Sequence, residues 1–349
     1  MIELFIAGLA VACLGLLTWA FKALPAERWQ FVASVPLHKH DDGHWTGLNL
    51  TFYGALTALG YVVAIALMLV IASAIAVAPL TLLTLVAVLL VIIVPSSRWV
   101  ARLVEGKECT FTIAGAVFVA ALVCPVAVLL TNKVLAVSGA DPLPVLPLLA
   151  AMAISYTVGE GVGRVACISF GCCYGRPVTH TSGLMRQLFT KLHFVFEGAT
   201  KKIAYESQLD GVPVIPIQAL TATLYIVTAL VGFWLYMRGW FASAVLVTML
   251  VSQLWRVYSE SLRADYRGGS AFSPYQWMAL ATAAIAVIYA LLYRGSADLI
   301  PNLVKGLEGI WSPGALLSLQ LLGLVIFFYT GRSEVTQSQM HIHVRTEKI

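Results

Sequence analysis

The run Y-T-V-G-E-G-V-G-R-V-A-C-I-S-F-G-C-C-Y-G-R-P-V-T, residues 156–179, decides how this chain folds. It begins inside a long apolar stretch that nevertheless contains two charged residues, Glu160 and Arg164. A charge inside a membrane helix is costly, so such residues usually belong to a functional site or to an ion pair. Because Glu160 precedes Arg164 by four residues, the two side chains share one helix face and are expected to pair.

Glycines surround this pair and end the helix. Gly159 and Gly163 have the small-xxx-small spacing that lets membrane helices approach closely. The helix is predicted to break in the glycine-rich segment 171–175, just before Pro177. Arg164 is therefore expected near a membrane boundary, under a glycine-rich exit, which would suit the phosphate of a lipid.

The composition of the chain indicates its class. Of 349 residues, 60% are hydrophobic and only 11% are charged, and uncharged apolar runs recur along the whole length. This predicts an all-α polytopic integral membrane protein, folded as a single membrane domain over residues 1–349. The net charge of +5 is modest, and its basic residues fall in loops, so the membrane explains them and no nucleic-acid partner is expected.

About nine transmembrane helices are predicted from the apolar runs. The stretch 50–94 is long enough to cross the bilayer twice and is expected to be hinged at Ala78–Pro79. The segment 22–49 is expected to lie in the interface, 171–216 to form a small extramembrane head, and the chain to end in a polar tail. The predicted spans are 4–21, the two within 50–94, 111–130, 148–170, 217–236, 241–258, 277–293 and an extra C-terminal helix at about 314–331.

A second charged run ends the seventh span. Arg256, Glu260 and Arg263 are spaced i, i+4 and i+7, which places them on one helix face if the helix continues through Arg263. Arginines at the end of a span often extend toward water, and this explains Arg263 well. It explains Arg256 poorly, because Glu260 on the same face favours an inward, paired arrangement.

Two groups of potential metal ligands are weaker signals. The six cysteines form no CxxC pair and no disulfide framework, and adjacent Cys172 and Cys173 are interpreted as tight packing at the helix exit. Alternating histidines in a flexible loop are more often solvated than bound to a metal. No metal site is therefore predicted, either at the cysteines or in the loop that contains His38, His40, Asp41, Asp42 and His44.

In this order, five motifs resemble the prolipoprotein diacylglyceryl transferase (Lgt) family. The most specific is G-R-V-A-C-I-S-F-G-C-C-Y-G-R-P at 163–177, and the resemblance covers roughly 47–293. The others are L-T-F-Y-G-A-L at 50–56, V-I-P-I-Q-A-L at 214–220, R-V-Y-S-E-S-L-R-A-D at 256–265 and F-S-P-Y-Q-W-M-A-L at 272–280.

The resemblance implies a reaction and a set of residues. The diacylglyceryl group of phosphatidylglycerol, or a similar anionic phospholipid, would move to an acceptor thiol, by default the lipobox cysteine of a prolipoprotein, with release of glycerol phosphate. Arg164, Arg256 and Tyr53 fall on the catalytic positions, and Glu260 would orient Arg256. No metal or organic cofactor is implied, and the protein is expected in a bacterial inner membrane. The remaining substrate-binding positions are Arg263, Gly163, Gly171, Gly175, Gln218, Ser273 and Gln276.

Departures from the family pattern leave alternatives open. Val214 replaces an arginine before Pro-x-Gln, and Cys167 replaces a frequent asparagine in the glycine-rich signature. The acceptor could therefore be a small thiol, a sugar or another lipid instead of a prolipoprotein. The chain could also be a lipid-binding or transport protein without catalysis, because arginines in a membrane cavity can simply bind headgroups.

The orientation in the membrane is ambiguous from the sequence. With nine spans, sixteen lysines and arginines fall in loops on the side of the head and four on the opposite side. The positive-inside rule would place the head in the cytoplasm. The family instead has its active face outside, and since long loops and functional basic sites weaken the rule, the family orientation is favoured.

Overall fold

The computed structural model describes residues 1–106, 112–266, 272–293 and 299–349. Cys109 and residue 111, the predicted start of the fourth span, lie outside these ranges. Within them the chain is mainly helical, and nine helices are long and apolar enough to cross a bilayer. The prediction of an all-α polytopic membrane protein is thus confirmed.

The spanning helices occur where the apolar runs predict them. The hinge predicted at Ala78–Pro79 is present, because the second span ends at Ser73 and the third begins with Pro79 in its first turn. The nine helices are α1 (Ile2–Ala23), α2 (Phe52–Ser73), α3 (Pro79–Glu105), α4 (Ile113–Val137), α5 (Val145–Phe170), α8 (Ile217–Met237), α9 (Phe241–Glu260), α10 (Pro274–Leu292) and α12 (Pro313–Thr330).

Helix α5 is the most deeply buried span and packs between α2 and α8. A Cβ added at Gly159 would lie 2.6 Å from the Cβ of Ala64 on α2. On the other side, a Cβ at Gly161 would lie 3.0 Å from the side chain of Ile226 on α8. The close approach predicted from the glycines is therefore present, and it serves two neighbouring helices instead of one.

The prediction missed a β-sheet on the head side of the spans. Strands β1 (Phe31–Lys39) and β2 (Trp45–Thr51) form an antiparallel hairpin within the segment expected to lie in the interface. Strand β5 (Arg332–Met340), in the predicted polar tail, pairs with the other edge of β2. The local sequence does not show this pairing, because the two partners are separated by more than 280 residues.

Contacts at both ends show that the ninth helix, α12, runs along the full length of α2. At the start of α12, the short helix α11 (Leu303–Ile310) packs on the far end of α2, where the Asn302 N–H donates to the Ala74 carbonyl at 2.8 Å. At the end of α12, the Thr51 N–H donates to the Gly331 carbonyl at 2.9 Å. Helix α12 is therefore antiparallel to α2 and returns the C-terminal strand to the side of β2.

The head is fastened to the spans by a buried lysine. The head contains two short helices, α6 (Gly183–Lys191) and α7 (Lys202–Ser207), and a two-stranded sheet of β3 (Phe194–Val195) with β4 (Pro213–Val214). Just before α7, the Lys201 ammonium donates to the Leu24 carbonyl beyond α1 at 3.1 Å and to the Ser169 carbonyl in α5 at 2.7 Å. Burial lowers the pKa of Lys201 to about 8, against an opposing effect of nearby Glu27 and Glu197.

Lys201→Met is expected to destabilise the packing of the head on the spans. The Leu24 and Ser169 carbonyls lose their donor, which lowers the free energy of unfolding by about 1–3 kcal/mol. Since the folded pKa lies below the unfolded one, the wild type gains stability from this group as pH rises from about 8 toward about 10.5. The neutral amine still has two N–H groups for the two carbonyls, so its hydrogen bonds persist.

The measurement is thermal unfolding in detergent, from pH 7 to pH 10. The melting temperature of Lys201→Met should lie below that of the wild type, and the gap should widen with pH. Lys202→Met is the matched control, because Lys202 forms a partly exposed pair with Glu206. Equal melting temperatures for both variants, or a gap that narrows with pH, would contradict this role of Lys201.

Candidate functional site

A carboxylate held between two arginines lies in the middle of the helix bundle. Glu160 on α5 accepts a hydrogen bond from Arg164, one turn further along the same helix, as the i, i+4 spacing predicts. Its two oxygens also accept hydrogen bonds of 2.6 Å from Arg256 on α9. All three side chains are at least nine-tenths buried, so the cluster joins α5 to α9 inside the protein.

Neutral side chains complete the surroundings of this cluster. The Tyr156 hydroxyl, one turn before Glu160, donates to the carboxylate and accepts a hydrogen bond of 3.2 Å from Arg256. Gln253, one turn before Arg256, donates to the same hydroxyl at 3.3 Å. These contacts fix the carboxylate and the Arg256 side chain in one arrangement.

The cluster carries an excess of positive charge. Two guanidinium groups share one carboxylate, which leaves a formal charge of +1 in a setting with little water. The Nε atoms of Arg164 and Arg256 are buried and have no hydrogen-bond partner among the described residues. Buried donors are normally satisfied, and guanidinium groups match phosphate geometry, so this arrangement is compatible with a bound anion.

The end of α9 differs from the prediction. The helix ends at Glu260 and does not continue through Arg263. Beyond it, backbone bonds pair Arg176 with Leu262 and Ala264 with Tyr174, so the two segments that leave α5 and α9 lie side by side. Arg263 lies in this paired segment, outside the helix, so it does not share the helix face of Arg256 and Glu260.

The acidic partners also differ from the prediction. Arg263 forms a two-point ion pair with Asp265, at 2.7 and 2.5 Å. Glu260 was expected to orient Arg256, but the carboxylate in contact with Arg256 is Glu160. Glu260 instead accepts a hydrogen bond of 3.3 Å from Ser273. The contact between Glu160 and Arg256 was missed because it depends on how α5 and α9 pack.

The other predicted polar residues hold segments of the site together. Gln218 donates to the Cys172 carbonyl at 2.7 Å, which ties α8 to the exit of α5. Ser273 and Gln276 form a reciprocal cap at the start of α10, and Gln276 also donates to the Val257 carbonyl of α9 at 2.9 Å. A role of these residues in substrate binding stays a prediction.

The three predicted glycines have different surroundings. Gly171 ends α5 in the left-handed conformation, with φ of +70°. A Cβ at Gly175 would lie 2.5 Å from the Ile215 carbonyl, so the backbones touch there. At Gly163, beside Arg164, an added Cβ would meet no atom within 4 Å of the described residues. Gly163 therefore borders open space, which is compatible with a ligand.

Tyr53 lies at the start of α2, beside the exit of α5. Its ring packs against Phe170, with the ring centres 5.4 Å apart. The Tyr53 hydroxyl makes no hydrogen bond to any residue that the structure describes, and it lies within electrostatic range of Cys167, Cys172 and Cys173. The structure thus places this predicted residue at the same end of α5 as Arg164.

The structure also brings Cys172 and Cys173, interpreted from the sequence as tight packing, together with Cys167. The Sγ atoms of Cys167, Cys172 and Cys173 all lie within 4.8 Å of one another. By contrast, His38 and His40 are exposed at the β1–β2 turn, while His44 is partly buried and stacks on His40 at 4.4 Å. Among the described residues, only the cysteines meet as a compact set of possible metal ligands.

Comparison with known proteins gives a family. The family model for prolipoprotein diacylglyceryl transferase matches residues 44–292, which is more than two thirds of the chain. The chain belongs to the prolipoprotein diacylglyceryl transferase family. No individual curated protein matches the sequence.

Family membership establishes the general activity. The protein is a multi-pass membrane protein of a transferase family that acts on a lipid donor and a lipoprotein substrate. The matched segment contains Arg164, Glu160 and Arg256. It leaves out α1, β1, α11, α12 and β5, although α12 and β5 pack directly against α2 and β2. These additional elements pack against the part of the chain that the family model matches.

Glu160→Gln is expected to destabilise the protein strongly. Either arginine can be lost while Glu160 keeps a partner, but loss of Glu160 leaves two buried cations side by side. Breaking a buried charge pair in this way typically costs about 3–5 kcal/mol. Thermal unfolding in detergent measures this effect, with Glu308→Gln at an exposed carboxylate of α11 as the control. A melting temperature for Glu160→Gln equal to that of the control would contradict the proposed charge balance.

Proposed function

We propose that the protein transfers the diacylglyceryl group of phosphatidylglycerol to the thiol of a cysteine in the lipobox of a prolipoprotein. The observation that carries this proposal is the pair of buried, unpartnered Nε donors on Arg164 and Arg256, around a cluster with a net positive charge. A phosphodiester brings one negative charge and oxygens that accept hydrogen bonds. It would neutralise the cluster and satisfy donors that the described residues leave unpaired.

The same two arginines suit the bond that breaks. The acceptor sulfur forms a bond to the terminal glyceryl carbon of the diacylglyceryl group, while the bond from that carbon to the phosphate oxygen breaks. The electron pair of the broken bond goes to the oxygen, so glycerol phosphate is formed with one more negative charge than the diester had, before any protonation. The thiol proton passes to water or to the leaving phosphate, which balances the reaction.

Charge therefore grows on the phosphate as the reaction proceeds. Preorganised donors that face growing charge in a site with little water stabilise the transition state more than the ground state. Glu160 contributes by holding both guanidinium groups in place, since it contacts each of them. Arg164 and Arg256 thus act on the phosphate, and Glu160 acts through them.

Tyr53 is proposed to act at the acceptor side of the phosphate. Its hydroxyl is not committed to another described residue, and it lies at the exit of α5 near the head. A prolipoprotein must bring a water-soluble segment and a thiol to a lipid in the bilayer, so the boundary between spans and head is the natural place for the two substrates to meet. The proposed location is the bacterial inner membrane, with the head on its outer side.

The experiment incubates purified protein with phosphatidylglycerol and a lipobox peptide and measures glycerol phosphate and modified peptide by mass spectrometry. Wild type should release both products. Arg164→Met and Arg256→Met should each lower the rate by at least about 100-fold, the scale expected when a donor to growing charge is lost. Because each variant leaves Glu160 paired with the other arginine, both should fold and remain in the membrane.

Arg238→Met is the matched control, because Arg238 is an arginine at the opposite end of α8, half-exposed and paired with Glu3. It should leave the rate unchanged. Release of glycerol phosphate without modified peptide would mean that the acceptor is a molecule other than a prolipoprotein. Unchanged rates in folded Arg164→Met and Arg256→Met, or no release with any acceptor thiol, would overturn the proposed reaction.

A further inference from the structure

We propose that Cys167, Cys172 and Cys173 form a binding site for a thiophilic metal ion with a filled d shell, such as Zn²⁺, Cd²⁺ or Cu⁺. Their Sγ atoms all lie within 4.8 Å of one another. Three sulfurs around Zn²⁺ at about 2.3 Å stand about 4 Å apart, so small side-chain movements would complete the site. The site uses none of the side chains of the Arg164–Glu160–Arg256 cluster, although it adjoins that cluster, and it does not depend on the proposed reaction.

The end of α5 brings the first two thiols together. The Cys172 N–H donates to the Cys167 carbonyl at 3.1 Å, and Gly171 between them is left-handed. This is the Schellman ending of a helix, which folds the chain back over the last turn. Cys172 is thereby returned to the level of Cys167, five residues earlier, and Gln218 fixes its carbonyl from α8.

A second reversal brings in the third thiol. Side chains of adjacent residues in an extended segment point to opposite sides. Cys173 has φ of +55°, a left-handed conformation that is unfavourable for a residue with a Cβ. With this conformation at Cys173, the Cys172 and Cys173 thiols lie on the same side of the chain. Backbone strain of this kind is typically found at sites with a function.

The surroundings fit an anionic metal–thiolate complex. Three thiolates around a divalent ion carry one excess negative charge, and Cys173 lies within electrostatic range of the guanidinium groups of Arg164 and Arg263. Cys167 is buried, and Cys172 and Cys173 are half-buried, so the thiols are shielded without being closed off. No His, Asp or Glu joins the described set, which favours soft metals and leaves a fourth position for water or a thiol.

The experiment uses the full-length protein in detergent, reduced and freed of metal. Zn²⁺ is titrated in competition with a coloured chelator, and Cd²⁺ is titrated while the ultraviolet band of cadmium–thiolate bonds is followed. We expect one ion per chain, with the thiolate band. The serine variants of Cys167, Cys172 and Cys173 should each lose affinity by about 100-fold or more, since even the partners that merely support metal ligands contribute 10–100-fold.

Cys13→Ser and Cys124→Ser are the matched controls, because these half-buried thiols lie in α1 and α4, away from the cluster. Both should bind as the wild type does. Binding without the thiolate band would assign the ion to other ligands, such as the exposed histidines of the β1–β2 turn, and would overturn the proposal. So would undiminished binding by the Cys172→Ser variant, or no binding by a wild type whose thiols are all reduced.

Discussion

The structure depends on one carboxylate that is shared by two arginines inside a membrane domain. Glu160 contacts Arg164 on its own helix and Arg256 on α9, and no described partner satisfies the Nε atoms of the two arginines. One carboxylate paired with one arginine would be neutral overall and would only hold the helices together. The extra cation favours a bound anion, and we propose that this anion is the phosphate of a phospholipid. The helix packing and the proposed chemistry therefore share one set of contacts.

The rest of the bundle is arranged to hold this cluster. Small residues let α2 and α8 approach α5 from two sides, which buries the length of the helix that carries Glu160 and Arg164. The segments that leave α5 and α9 pair through their backbones, so the two arginine-bearing helices are joined beyond their ends as well as through the Glu160 contacts. Lys201 then fixes the head over this junction by bonding to the ends of α1 and α5.

The features of the fold that depend on local sequence pattern could be predicted. Apolar runs located the nine spans, and the i, i+4 spacing predicted the pairing of Glu160 with Arg164. What could not be predicted depends on contacts between distant segments. The partner of Arg256 was assigned to nearby Glu260, because the sequence does not show that α9 packs against α5. The pairing of β2 with β5 was missed because the two strands are far apart in the sequence, although it places the β1–β2 hairpin and the C-terminal tail on one side of the spans.

The three clustered cysteines are a second feature that could not be predicted from the sequence, for a different reason. Their spacing does not match a common metal motif, so the sequence favoured simple packing. Only the left-handed residues Gly171 and Cys173 bring the three thiols to one place. A turn of this kind follows from how the head is attached to the spans, and a one-dimensional pattern does not encode it in a recognisable way. Motifs that follow a helix end therefore need the geometry of that end before their chemistry can be judged.

The central claim is that the two arginines bind a lipid phosphate, and lipid binding measured by native mass spectrometry tests it most directly. The protein would be mixed with phosphatidylglycerol and with diacylglycerol, which has the same chains but no phosphate. The account predicts that the wild type and Arg238→Met retain phosphatidylglycerol over diacylglycerol, and that Arg164→Met and Arg256→Met lose this preference. An equal preference in all four proteins would contradict it.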